Sequence, residues 1–458
     1  MRIFFASFLL LAALGHTETV DAIWSAGYVV TLDAGRRVIE NGSVAVRGER
    51  IVAVGTSQEI ARRYRAKRRL DRPQAILIPG LINGHTHAAM SLLRGIADDV
   101  KLEDWLHKYI FPAEARNVTP EFVLWGTRLA CLEMMLSGTT TFVDMYYYED
   151  QAARAARDAG MRAVLGETTI GFPAPDAKTP QAARAFAEAF MRKFHGDSLI
   201  TAAIAPHAIY TNSTEDLKAA RELANRYQAP LLIHISETRH ENEESLAKHG
   251  MSPTRYLDSL GFWKGRSIAA HGVWLDSADQ AILKARGVGI VHCPSSNMKL
   301  ASGIAPVARM LAEDMLVGLG TDGPAGSNND FDLMEEMNLA ANLQKVATGD
   351  PTVLNARQAL DLATILGAKA IGMEDQIGSI ETSKKADLVM VRIDRPHAVP
   401  MYNVYSQLVY ALKGSDVQDV MINGVAVVSS GKAVRLDAGA ILAKAREFQK
   451  SIASSLSR

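Results

Sequence analysis

The chain has 458 residues, 48% of them hydrophobic, with 50 Lys and Arg balanced by 50 Asp and Glu. That length exceeds one small domain and fits a barrel of about 250 residues with an appended domain. The charge balance gives no electrostatic reason to expect nucleic acid or a membrane surface as partner, and two distant cysteines, Cys131 and Cys293, make no disulfide framework.

In chain order, a short positive start (Met1-Arg2) precedes an apolar run over 3–14 and the small residues Ala13 and Gly15. This pattern predicts a secretory signal peptide over 1–17 and an exported protein, periplasmic or secreted. Without a working leader the expectation is cytoplasmic. The run is too short to span a membrane comfortably, and no second long apolar run follows. Short strand-like segments fill 18–74, and the basic run 62–69 reads as a solvated surface. From 75 to 375 the texture is strand, loop, helix, repeated. Candidate strands are 75–79, 139–144, 162–166, 199–205, 230–234, 267–271, 288–292 and 316–321. Eight strands alternating with helices predict an α/β fold, a (β/α)8 TIM barrel. No G-x-G-x-x-G follows a strand, which argues against an open dinucleotide-binding sheet. Short strands return over 376–436, where Asn423-Gly424 is a hairpin signal. The economical reading is one small β-sandwich domain built from both ends of the chain, then a helical tail over 437–458.

Polar residues at the C-terminal ends of barrel strands build the site in such folds. Here those ends carry His85 and His87, His207, His234, His271, His292 and Asp322. On extended backbone, residues two apart point to one side, so His85 and His87 can share an ion. One such histidine is ordinarily a core residue; six positions on one rim predict a metal site. Nitrogen and oxygen donors favour zinc, with iron the alternative.

Three segments carry a resemblance: NGHTHAAMSLLRGIADDVKLEDWL from Asn83, HCPSSNMKLASGIAPV from His292, and GTDGPAGSNNDFDLMEEM from Gly320. Together with His234 and His271 they resemble the amidohydrolase superfamily, in the branch of 5′-methylthioadenosine/S-adenosylhomocysteine deaminases and triazine chlorohydrolases. The likeness runs from about Val20 to about Val434. It implies one divalent metal held by His85, His87, His234 and Asp322. Binuclear members usually have a carboxylated lysine after strand 4, where this chain has Ala205-Pro206-His207.

The resemblance also implies roles. Asp322 and His271 handle the attacking water, and Glu237 carries protons to the ring and to leaving ammonia. Glu114 matches the position that binds ribose hydroxyls, and His207 matches the one that contacts the purine. Trp105 is read as a wall of the ring pocket and His292 as shaping it; ordinary core packing is the bland alternative for Trp105. After strand 3 the chain reads Glu167-Thr168-Thr169-Ile170-Gly171-Phe172, without the arginines that suit an S-adenosylhomocysteine carboxylate. The expected activity is removal of the 6-amino group from an adenosine-type nucleoside, with methylthioadenosine or adenosine favoured. The alternatives are hydrolysis of another amino- or chloro-substituted heterocycle (guanine, pterin, cytosine or s-triazine) and a metal-stabilised binding protein. The partner expected is a small molecule; homo-oligomerisation is left open.

Overall fold

A computed structural model describes residues 17–456. The apolar leader, residues 3–14, lies outside the described residues. Two eight-stranded sheets organise the chain. One is a parallel sheet in strict sequence order: β1 (Leu81–Thr86), β2 (Thr139–Tyr146), β3 (Arg162–Thr169), β4 (Ile200–Pro206), β5 (Leu231–Ile235), β6 (Ser267–His271), β7 (Gly289–His292) and β8 (Val317–Leu319). Helices connect successive strands, as parallel pairing requires. The sheet closes where β8 returns to β1. Thr86 bridges Asp322, and the Asp322 N–H donates to the His85 carbonyl at 3.0 Å. Asn83 clamps the same seam: its Nδ2 donates to Thr321 Oγ1 at 2.8 Å, and its Oδ1 accepts from the Thr321 N–H at 3.1 Å.

The first barrel strand differs from the sequence expectation. Residues 75–79 belong instead to the long strand Tyr64–Pro79 of the second sheet, and the barrel begins after Gly80. Both faces of that segment are buried. Ala75 and Leu77 pack into the second sheet's own core, whereas Ile76 and Ile78 join the large core shared with the barrel helices. A strand covered on both sides reads as a continuous apolar run, as a barrel strand does, so periodicity cannot separate them. Gly80 makes the turn possible, because a Cβ there would meet Thr140 Oγ1 at 2.0 Å.

The second sheet unites the two ends of the chain. Tyr64–Pro79 pairs parallel with Glu18–Val30 and antiparallel with Leu388–Arg392. Trp24, Val44 and Ile51 from one wing share a core with Leu388 and Met421 from the other. The Asn423-Gly424 hairpin is present, with φ of 52° and 77°, joining Val417–Ile422 to Val425–Ser429. The C-terminal helix Ala438–Leu456 packs Phe448 edge-on against Phe122. No helix among the described residues is long and apolar enough to cross a membrane. Both cysteines are free and buried.

A buried ion pair ties the sheets together. Arg162, at the start of β3, bonds Asp387 through Nε at 3.2 Å, and Asp387 Oδ1 also accepts from the Asn423 N–H at 2.6 Å. The two side chains are 4% and 3% exposed. Asp387→Ala strands the Arg162 charge and is expected to cost about 3–5 kcal/mol, read from the shift in urea midpoint.

Candidate active site

Four ligand atoms converge at the barrel mouth. His85 Nε2 lies 3.4 Å and His87 Nε2 3.2 Å from Asp322 Oδ1, and His234 Nε2 is 3.3 Å from His87 Nε2. A tetrahedral ion with ligands at about 2.0–2.1 Å sets its donor atoms roughly 3.3–3.4 Å apart, and these three spacings match that separation. The outer ring atoms are committed elsewhere. His87 Nδ1 donates to the Met145 carbonyl at 2.6 Å and His234 Nδ1 to the His207 carbonyl at 2.8 Å. Each ring thereby turns its Nε2 to the centre, the usual support for a metal-binding imidazole. His85 Nε2 is buried with no hydrogen-bond partner among the described residues. Burial pulls His85 down to about 4 and His234 well below the usual histidine range. Both are neutral at pH 7, the form that binds metal. Burial opposes the charge on Asp322, but the imidazoles of His85 and His87 outweigh it and hold the carboxyl well below its ordinary value. The same coupling lifts His87 to about 9 despite its burial. A divalent cation fits where that proton sits. The donor set therefore suits one metal ion. Lys385 Nζ, by contrast, pairs with Glu49 in the second sheet, far along the chain from these ligands.

Two further groups face the ligand cluster. His271 Nδ1 donates to Asn297 Oδ1 at 3.0 Å, which leaves Nε2 free, 3.7 Å from Glu237 Oε2. His271 and Asp322 both have positive φ, 73° and 64°, a backbone strained by about 1 kcal/mol or more for non-glycine residues. Such strain at two strand ends of the same rim marks positions fixed by their surroundings. Glu237 is 4% exposed, and burial raises its carboxyl above the ordinary value. It therefore holds its proton to a higher pH than an exposed glutamate does.

A cavity beside these groups opens toward the surface. Trp105, Glu114, His207, Tyr210, His234 and Glu237 are among its walls. Trp105 is both wall and core: its indole N–H donates to the Ala325 carbonyl at 3.0 Å. Glu114 lies in the helix Phe111–Asn117: one oxygen, Oε1, is buried without a hydrogen-bond partner, and burial pushes the carboxyl up to about 7. Burial also drives His207 down to about 3, so its ring is neutral. His292 departs from expectation. It is fully buried, does not line the cavity, and accepts from Asn297 Nδ2 at 3.4 Å. Asn297 thus stands between His271 and His292.

The amidohydrolase family model matches residues 76–427. The chain belongs to the amidohydrolase family. It is 46% identical over 439 residues to 5-methylthioadenosine/S-adenosylhomocysteine deaminase 1 of Syntrophus aciditrophicus, covering 96% of this chain and 99% of the relative. A deaminase of the same name from Thermodesulfovibrio yellowstonii is 45% identical over 432 residues, covering 94% and 98%. Among solved structures, a zinc-bound adenosine deaminase from Xanthomonas campestris superposes with TM-score 0.94 at 39% identity, covering 96% of this chain and 100% of that one. The zinc complex of atrazine chlorohydrolase from Arthrobacter aurescens gives 0.86 at 25% identity, covering 93% and 100%.

This amidohydrolase carries supporting residues that sequence reasoning passed over. Ser296 Oγ donates to Asp322 Oδ2 at 2.7 Å, and Asp144 Oδ1 accepts from Thr86 Oγ1 at 2.8 Å and the Ala88 N–H at 2.7 Å, bracketing His87. The polar triplet Ser295-Ser296-Asn297 just past β7 was the available signal. Asp144 left none, since a lone acid ending an apolar strand has many uses.

Proposed function

We propose that this amidohydrolase is a zinc-dependent aminohydrolase that removes the 6-amino group of an adenosine-type nucleoside. The observation that carries this reading is the buried Glu237 carboxyl beside His271 and the ligand cluster, at the base of a cavity that also holds the unpartnered Glu114. When bound, the ion lowers the pKa of a coordinated water toward neutrality. Asp322 takes a proton from the attacking water, and His271 Nε2 orients that water by hydrogen bonding. Glu237 delivers its proton to the ring nitrogen, which makes the amino-bearing carbon electrophilic, then takes the proton of the newly added hydroxyl as the carbonyl forms and passes it to departing ammonia. His207, neutral, contacts the purine, Trp105 walls it, and Glu114 accepts two hydrogen bonds from the ribose diol. The apolar leader supports an exported enzyme acting on extracellular nucleosides.

The cavity mouth favours an uncharged 5′ substituent. Phe111 and Phe172 meet edge to face at 5.1 Å, and no lysine or arginine lines the cavity among the described residues. The test is ammonia release by zinc-loaded protein from adenosine, methylthioadenosine, S-adenosylhomocysteine, guanine, cytosine and melamine. Adenosine and methylthioadenosine should exceed S-adenosylhomocysteine by about ten-fold or more, the worth of a missing charge-assisted hydrogen bond. Turnover confined to guanine, cytosine or melamine would sink the nucleoside reading.

Glu114 adds a pH signature. Its carboxyl, raised to about 7, is protonated below that pH and accepts both diol hydrogens only above it. For adenosine, kcat/KM should therefore climb as pH rises through about 7, and Glu114→Gln should flatten this limb while raising KM.

A further inference from the structure

A second cavity adjoins the first. Leu102, Leu106 and Tyr210 line both, so these side chains form the partition. Beyond it the wall carries three carboxyls, Glu103, Glu241 and Glu244, beside His107, His240 and Thr238, and no lysine or arginine lines it among the described residues. Glu103 and Glu244 are exposed at the outer end, whereas Glu241 is 4% exposed. Glu241 Oε2 accepts the Glu237 N–H at 2.8 Å, but Oε1 is buried without a hydrogen-bond partner. A buried carboxylate oxygen left unpaired is costly, and a donor arriving in the cavity removes that cost. Nothing in the handling of the nucleoside uses this oxygen.

We propose that the acidic side cavity is an ammonium subsite, which receives the small cationic amine released beside Glu237 and leads it out while the purine product still fills the main cavity. The inference rests on the deaminase reading. Protonated ammonia offers donors on every side and suits an unpartnered buried oxygen. The exposed carboxylates of Glu103 and Glu244 then draw the cation outward, since a cleft of one charge concentrates counter-ions. The apolar partition of Leu102 and Leu106 keeps the nucleoside out of the acidic space. Burial pushes Glu241 up to about 8, and an arriving cation pulls that carboxyl into its charged form.

The experiment follows deamination of adenosine by purine absorbance in ammonium chloride, against sodium and potassium chloride at equal ionic strength. Ammonium should inhibit non-competitively with adenosine. The double variant Glu103→Gln/Glu244→Gln should weaken that inhibition about five-fold, the scale of two exposed charges, with kcat and KM unchanged in the absence of ammonium. Equal inhibition of both proteins, or equal inhibition by sodium or potassium, overturns the subsite. A second readout is independent of turnover: ammonium chloride should raise the wild-type Tm above its value in sodium chloride and leave the double variant unmoved. Absence of that shift with deamination intact overturns the subsite alone. Failure to deaminate any aminopurine nucleoside overturns the function reading, and the Tm comparison then still decides the subsite.

Discussion

Glu237→Gln should bind the metal as the parent protein does and lose about 10²–10⁴-fold in kcat, the contribution of a positioned proton donor. The amide keeps the size of the side chain, and the backbone N–H that bonds Glu241 is untouched. What disappears is a transferable proton. Burial raises the Glu237 carboxyl, so it stays protonated to a higher pH than an exposed glutamate. Its ionisation should appear as a falling alkaline limb of kcat/KM in the parent enzyme, and the variant's residual activity should lack that limb. Steady-state rates and metal content, measured on the same samples, check the claim. Unchanged kcat in a metal-loaded variant would refute the proton-carrier role.

Metal removal should have the other large effect. Stripping with a chelator is expected to abolish ammonia release, and one equivalent of zinc should restore it. The four donors are buried, and the imidazoles of His87 and His234 are already oriented by backbone carbonyls. Stability should follow occupancy. An ion that binds only the folded chain adds about 2.7 kcal/mol at a hundred-fold excess over its dissociation constant, which should show as a higher Tm for the loaded protein. His85→Ala removes one donor and should leave a chain that folds but retains metal poorly. Full activity after exhaustive stripping would overturn the metal-dependent reading.

The candidate site was legible because its signals are local. His85 and His87 stand two apart on extended chain, and His234, His271 and Asp322 each follow a short apolar run. Strand-end placement then put them on one rim by the logic of the barrel. The Asn423-Gly424 hairpin was legible for the same reason, since turn chemistry depends on two adjacent residues. Residues 75–79 were misplaced because burial on both faces erases the period that distinguishes one sheet from another.

By itself, then, the sequence determined the order of elements, the barrel with its β-rich flanks, and the residue types gathered at the strand ends, all features written in spacing and pattern over a few residues. Only the tertiary structure decided where the barrel begins, that Asn297 stands between His271 and His292, that Ser296 braces Asp322, and that a partition of Leu102, Leu106 and Tyr210 divides two cavities. Most of those contacts join residues tens of positions apart or more, and closure of the barrel, which leaves no periodic trace along the chain, is what brings them together.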